Sequence, residues 1–260
     1  HRVRWFWCAH VVHHSGENMT TTTAMRQSLF YAVNLHQIFW APMLIIGFPV
    51  WAVLLAYGIN LGYQYFVHTQ AVNKFPKWFE YIFNTPSHHR VHHGVNPKYI
   101  DKNHGGTLII FDRMFGTFQA EEEEVVFGIT SQPKSWNPLW LNFEYWGGLF
   151  KDVAKARNIG DAIKMLVLKP GWRPDYLGGV QPFKEVTPQT FHKYDTQIAV
   201  GLNYYIFFQF VLVLGGTTAY LFAAESMDWP ARTGVGVLII TALVSLGGLL
   251  ESKRWALFVE

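Results

Sequence analysis

The sequence is poor in cysteine and in charge. Its 260 residues include one cysteine, Cys8, so no disulfide can form within the chain and no thiolate cage can hold a metal. Charged residues make up 15% of the chain, against about 25% in ordinary soluble domains. The lysines and arginines are scattered among apolar stretches, which argues against a nucleic-acid partner. Half of the residues are hydrophobic and 17% are aromatic, a composition typical of membrane proteins.

Histidine, by contrast, is concentrated in the first part of the chain. All but one of the twelve histidines lie in residues 1–104. Six of them form two matched His-x-x-His-His clusters, His10-Val11-Val12-His13-His14 and His89-Arg90-Val91-His92-His93. Positions i, i+3 and i+4 of a helix share one face, so each cluster is predicted to aim three imidazoles at a common point. A repeated spacing of this kind indicates metal binding.

Imidazole ligands alone do not identify the metal. Neutral imidazole suits iron, copper, zinc and nickel. Six clustered histidines, with others nearby, exceed what one ion needs, and we therefore expect two metal ions. A structural zinc site would close with four ligands, so this excess argues against a structural zinc protein. A metal carrier would need ionisable groups inside its spanning segments, and residues 198–222 and 233–250 contain none in their interiors.

Apolar segments predict an all-α, multi-span integral membrane helical bundle. As one helix, residues 35–67 would measure about 50 Å, too long for a hydrocarbon core of about 30 Å. We therefore expect a hairpin that turns at Gly47-Phe48-Pro49. Residues 198–222 and 233–250 each have spanning length. Basic residues flank this pair and also accompany the histidine clusters, so the positive-inside rule predicts a histidine-rich di-metal cap facing the cytosol.

Local signals predict how the histidine helices begin and end. Thr85 is a suitable cap and Pro86 a suitable first residue for the second cluster's helix, and Gly94 should stop it. Gly16 should end the first cluster's helix. The acidic run at residues 121–124 is predicted to be a solvated surface.

The clusters lie within longer sequence blocks. These blocks are residues 10–15, 84–94, 100–106 and 112–118. Together they resemble the fatty acid hydroxylase and sterol desaturase superfamily. The second block, with Phe127-Gly128-Ile129-Thr130, Pro170-Gly171-Trp172 and the C-terminal apolar pair, resembles its alkylglycerol monooxygenase-like branch.

The resemblance implies a di-iron centre built from one His-x(3–4)-His box and two His-x-x-His-His boxes. His1 corresponds to the second histidine of the first box, and we expect the first histidine upstream, in a chain that is N-terminally truncated here. The implied ligands are His1, His10, His13, His14, His68, His89, His92 and His93. His88 lies about 40° from His92 around a helix and is a candidate ligand or outer partner. His104 is a weaker candidate, because the family more usually has tyrosine there.

The implied reaction is O2-dependent hydroxylation of an aliphatic carbon of a lipid. For an alkylglycerol-type lipid, hydroxylation beside the ether oxygen gives an aldehyde and glycerol. The alternative is hydroxylation or desaturation of a sterol, a fatty acyl chain or a carotenoid. By analogy the electron donor is tetrahydrobiopterin, with a cytochrome or ferredoxin as an alternative donor protein.

We expect three parts in the chain. A di-iron hydroxylase domain would cover residues 1–124 and include the membrane hairpin 35–67. A cytosolic or interfacial region would follow over residues 125–196, and a transmembrane helix pair would close the chain over residues 197–260.

Overall fold

Helices of very different length make up the structure. The computed structural model describes all 260 residues and contains helices, turns and loops but no strand; two isolated bridges pair Phe83 with Leu108 and Gly94 with Phe127. The predicted all-α class is confirmed. The α-helices are α1 Arg4–His14, α2 Thr21–Met25, α3 Ala41–Ile45, α4 Val50–Val67, α5 Lys77–Ile82, α6 Pro86–His92, α7 Ile110–Phe115, α8 Pro138–Val153, α9 Ile159–Val167, α10 Val200–Ala223, α11 Trp229–Leu250 and α12 Ala256–Val259.

The residues group into two units. Unit 1 comprises His1–Gln132 and Tyr145–Lys193, and unit 2 comprises Pro133–Glu144 and Tyr194–Glu260. All twelve histidines lie in unit 1. The division of the chain into three functional parts stays a prediction.

Three helices are long and apolar enough to cross a membrane. They are Val50–Val67, Val200–Ser226, which joins α10 to the short 3-10 helix after it, and Trp229–Leu250. Their side chains are mostly exposed, and they indicate an integral membrane protein. Asp228 caps the last of them by accepting a 2.9 Å hydrogen bond from the Ala231 amide.

The segment 35–67 folds as one long helix after a broken lead-in. Before α4 the chain forms 3-10 turns at Leu29–Ala32 and His36–Phe39 and then the short α3. Leu35 and Gly47 adopt left-handed backbone angles, with φ of 65° and 100°, which interrupt a right-handed helix. The helix therefore breaks at Gly47, within the predicted turn, and only the second leg is a continuous helix. The membrane hairpin stays a prediction.

The two histidine helices end close to the predicted residues. Thr85 is the N-cap of α6 and Pro86 its first residue; the Thr85 hydroxyl donates to the Glu80 carboxylate at 3.1 Å instead of capping the helix. Gly94 follows α6, and only glycine fits, because a Cβ there would lie 2.9 Å from the Tyr99 ring. At the end of α1, the Ser15 hydroxyl donates to the Val12 carbonyl at 2.8 Å.

Arg90 holds α6 against the chain that follows α4. This buried residue makes a bidentate ion pair with Glu121, each bond 2.7 Å long. It also donates to the carbonyls of Thr69, Val72 and Asn73. The prediction that the whole acidic run is solvated is therefore wrong for Glu121, because that carboxylate neutralises a buried guanidinium.

Candidate metal centre

Eight histidines form two groups of four. Quartet A consists of His1, His10, His14 and His92, and quartet B consists of His13, His68, His89 and His93. Within each quartet, one ring nitrogen from every residue lies within 4.8 Å of the others. These are the eight residues that the sequence blocks imply as ligands, and the structure brings all of them together.

Each His-x-x-His-His cluster is shared between the two quartets. In α1, His10 and His14 join quartet A and His13 joins quartet B. In α6 the assignment is reversed, since His92 joins quartet A while His89 and His93 join quartet B. The expectation that each cluster aims at one point is wrong. Positions i and i+4 lie about 40° apart on a helix while i+3 lies on the other side of i, so the helix face divides between two targets.

Two further residues complete the quartets from outside the clusters. His1, just before α1, contacts the rings of His10, His14 and His92 with centroid distances of 4.5–4.8 Å. His68 caps the C-terminus of α4, and its Nε2 lies 3.0–3.1 Å from the Nε2 atoms of His13, His89 and His93. The end of a candidate membrane helix thus supplies a member of quartet B.

The outward nitrogens of several rings lie near hydrogen-bond acceptors. Nδ1 of His68 lies 2.5 Å from the Gln64 carbonyl, and Nδ1 of His13 lies 3.3 Å from the Arg26 carbonyl. In quartet A, Nδ1 of His92 lies 3.3 Å from the Lys102 carbonyl. Nδ1 of His10 is bonded to the Tyr31 hydroxyl. Metal-bound histidines commonly donate their second N–H in this way, which fixes the tautomer and the ring orientation.

These contacts leave lone pairs facing one another in quartet B. A carbonyl can only accept, so Nδ1 of both His13 and His68 carries the proton, and each Nε2 presents a lone pair. The two Nε2 atoms are 3.1 Å apart, and no hydrogen bond can join them in this tautomer. In quartet A, Nε2 of His1 is buried without a hydrogen-bond partner. A cation among these nitrogens would satisfy both arrangements, so the residues fit a bound metal.

Burial keeps the rings neutral, as metal ligation requires. Burial, and then the nearby histidines, lower the pKa of His14 and His93 far below the ordinary value. Burial likewise lowers the pKa of His13 to about 3. An all-imidazole donor set of this kind suits iron, as it also suits copper, zinc and nickel.

Four other histidines lie outside the quartets. His104 is the nearest, with its ring centroid 5.3 Å from that of His1, but its Nε2 bonds to the Asp101 carbonyl at 3.1 Å. His88 is buried against Phe118, and its Nδ1 has no partner. His36 pairs with Asn34, and His192 is exposed.

Sequence reasoning did not find the outer partners. Arg26 is held against α1 by its guanidinium, which donates to the Val12 carbonyl at 2.8 Å and to Ser15 Oγ at 3.0 Å. Tyr31 had no signal at all in the sequence. Burial raises the pKa of Tyr31, so the phenol stays neutral beside His10.

Comparison with known proteins agrees with this site. Residues 1–117 match the family model of fatty acid hydroxylases. Over its whole length the chain is 35% identical to alkylglycerol monooxygenase of Homo sapiens, 35% to that of Danio rerio and 34% to that of Xenopus tropicalis. The chain spans 58% of the length of each of these relatives. No solved structure matches it significantly.

The matched region contains both quartets in full, since it extends from His1 past His93. The resemblance that the histidine blocks carry is thereby confirmed, for the superfamily and for the alkylglycerol monooxygenase-like branch. Residues 1–117, which contain every member of both quartets, are thus similar to the fatty acid hydroxylase family.

Proposed function

We propose that this chain carries the catalytic centre of a membrane-bound, O2-dependent lipid monooxygenase with two iron ions. The observation that supports it most strongly is the pair of all-histidine quartets inside a region that matches the fatty acid hydroxylase family. Quartets A and B would each hold one ion. Bound iron would supply the activation of O2 that puts one oxygen atom into an aliphatic C–H bond, while the other leaves as water after uptake of two electrons.

The chain's own residues prepare this chemistry. Burial keeps the imidazoles neutral, and the carbonyls of Arg26, Gln64 and Lys102 aim their Nε2 lone pairs inward. All four residues of quartet B are buried, which excludes bulk water from that half of the centre. The exclusion of water protects a reactive centre from side reactions.

An alkylglycerol-type ether lipid is the proposed substrate, because the similar proteins are named for that activity. Hydroxylation of the carbon beside the ether oxygen gives a hemiacetal, which collapses to a fatty aldehyde and glycerol. Tetrahydrobiopterin is the proposed electron donor, with a cytochrome or ferredoxin as the alternative.

We further propose a multi-pass arrangement with the histidine site on the cytosolic side. Lys193 precedes α10, and Lys253 with Arg254 follows α11. Lys98 and Lys102 lie between the second histidine cluster and α7. Basic residues at these places support a cytosolic location under the positive-inside rule.

The test is a substrate and donor screen on the intact, iron-loaded protein. Alkylglycerol, sterol, fatty acyl and carotenoid substrates are each offered with a pteridine and with ferredoxin. We expect O2-dependent aldehyde release from alkylglycerol and two iron ions per chain by elemental analysis. One ion or none would refute the di-iron centre, and turnover of another substrate class alone would refute the ether lipid.

A further inference from the structure

Two short helices of unit 1 expose large apolar side chains. α5 and α7 carry the exposed residues Trp78, Tyr81, Ile82, Phe111, Met114 and Phe115, which we call the aromatic platform. The exposed fractions of Trp78, Met114 and Phe115 are 67%, 68% and 77%. Grouped exposure of this kind marks an interaction site. None of these residues belongs to either quartet.

Hydrogen bonds join the two helices of the platform, α5 and α7. The Ile109 amide, just before α7, donates to the carbonyl of Ile82 at the end of α5 with a length of 2.9 Å. Arg113 of α7 donates to the carbonyls of Tyr81 and Glu80, both at 3.1 Å. The last carbonyls of α5, which have no partner within the helix, are satisfied in this way. The guanidinium also lies over the Phe118 ring at 3.6 Å from its centroid.

The platform is tied to the last turns of α4, a candidate membrane helix. Tyr63 donates to the Asn84 carbonyl at 2.6 Å, two residues after α5 ends. Thr107, three residues before α7 begins, donates to Asn60 Oδ1 at 2.7 Å. Gly106 permits this approach, because a Cβ there would lie 2.8 Å from the Asn60 side-chain oxygen. Asn60 and Tyr63 lie about 6–11 Å along the helix axis from the end of α4.

We propose that the aromatic platform lies in the headgroup region of the same bilayer that α4 enters. The platform is attached near the end of a lipid-exposed helix, at the depth where a membrane helix passes through the interface. Tryptophan and tyrosine favour that region because their rings are amphipathic. Lys77, exposed at the start of α5, adds a positive charge suited to anionic headgroups.

The level of quartet B relative to the bilayer concerns the approach of a lipid substrate, a point that rests on the proposed function. His68 directly follows α4, so quartet B lies close to the level at which the platform meets the lipid. A lipid held in the bilayer would then lie close to the level of the proposed centre.

The location is tested without any activity measurement, by fluorescent labelling of the intact protein in liposomes. Trp78→Cys and Met114→Cys place a label on the platform, and native Cys8 is buried and serves as an unlabelled background. Trp51→Cys on the exposed first turn of α4 is the lipid control, and Lys98→Cys on an exposed charged loop is the water control. Each label is challenged with spin-labelled lipid and with aqueous iodide.

We expect spin label carried near the headgroup to quench the platform labels as strongly as it quenches Trp51→Cys, which lies at the other end of α4, and we expect the platform labels to be shielded from iodide. Iodide quenching equal to that of Lys98→Cys would overturn the proposal. Protection from both quenchers would also overturn it, in favour of a contact with a second copy of the chain. Quenching by lipid and by iodide is measured without turnover. A failure of the proposed membrane location can therefore be distinguished from a failure of the monooxygenase proposal.

Discussion

Quartets A and B use the same residue type in the same number but differ in burial. Every member of quartet B is buried, whereas in quartet A only His14 is buried. Lys102, whose carbonyl contacts His92 of quartet A, also lines a cavity of about 590 Å³. The comparison indicates that the proposed centre has a closed half near the membrane helix and an open half.

Each quartet has one side chain among the groups that contact its outward ring nitrogens. In quartet B, main-chain carbonyls contact His13 and His68, and the Asn84 side-chain amide lies 3.4 Å from Nδ1 of His89. In quartet A, the Tyr31 hydroxyl contacts His10. A conservative substitution at Tyr31 or at Asn84 can therefore perturb one quartet without removing a ligand.

The largest expected effect comes from removing the residue at the centre of quartet B. His68→Ala deletes the ring whose Nε2 contacts three others, so we expect one metal ion fewer per chain. Turnover should fall by more than about 100-fold, because loss of even an outer partner of a metal ligand costs about 10- to 100-fold. Elemental analysis and O2 uptake measure the two effects. His192→Ala, at an exposed histidine outside both quartets, is the control. Two ions retained in His68→Ala would refute the assignment.

A second experiment separates two neighbouring residues of α1. His13→Ala should remove the ion of quartet B, and His14→Ala should remove that of quartet A, because the adjacent rings belong to different quartets. Each variant is expected to keep one ion, with the residual ion in His14→Ala the slower to leave on addition of a chelator. If the two variants lose metal identically, the division of the cluster is wrong.

A chelator should also remove iron from quartet A of the unsubstituted protein faster than from quartet B, and this effect should be smaller than those of the substitutions. We expect two kinetic phases with a chelator, the faster belonging to the half-exposed quartet A. If opening of quartet B requires about 1.4 kcal/mol more, its phase is slower by about tenfold. Time-resolved absorbance of the iron chelate measures both phases, and a single phase of two equivalents would contradict the comparison.

The smallest effect is expected from Tyr31→Phe. This change removes the hydroxyl that bonds to His10 and leaves the ring in place, so metal affinity of quartet A should fall by about tenfold while quartet B is unchanged. Competitive metal titration measures both affinities. Tyr176→Phe, which deletes a hydroxyl bonded to the Arg157 amide and the Asp161 carboxylate, provides the matched control. An equal loss at both quartets would show that Tyr31 acts on the fold as a whole.

Local chemistry made part of this structure predictable. Thr85 and Pro86 stand at the predicted start of α6 and Gly94 follows its end. The reasons differ from the predicted ones, because the Thr85 hydroxyl bonds to Glu80 and the Tyr99 ring leaves no room for a Cβ at Gly94. The turn at Gly47 and the three long apolar helices followed from composition and length. The eight clustered histidines were implied by the family blocks.

What could not be predicted depends on how distant segments meet. Helical spacing separates position i+3 from positions i and i+4, but it does not say which quartet each histidine joins. That assignment depends on how α1 and α6 face each other. The carbonyls of Gln64 and Lys102 are invisible in a sequence because every residue has one. Glu121 looked solvated within an acidic run, yet it pairs with Arg90 31 residues earlier.

The main-chain acceptors give the centre a tolerance to sequence change. A substitution at Arg26, Gln64 or Lys102 replaces a side chain but keeps the carbonyl that the histidine ring contacts. The tautomers of His13, His68 and His92 are thus set by the path of the backbone and not by residue identity. The surroundings of this centre can therefore drift in evolution while its ligand chemistry remains the same.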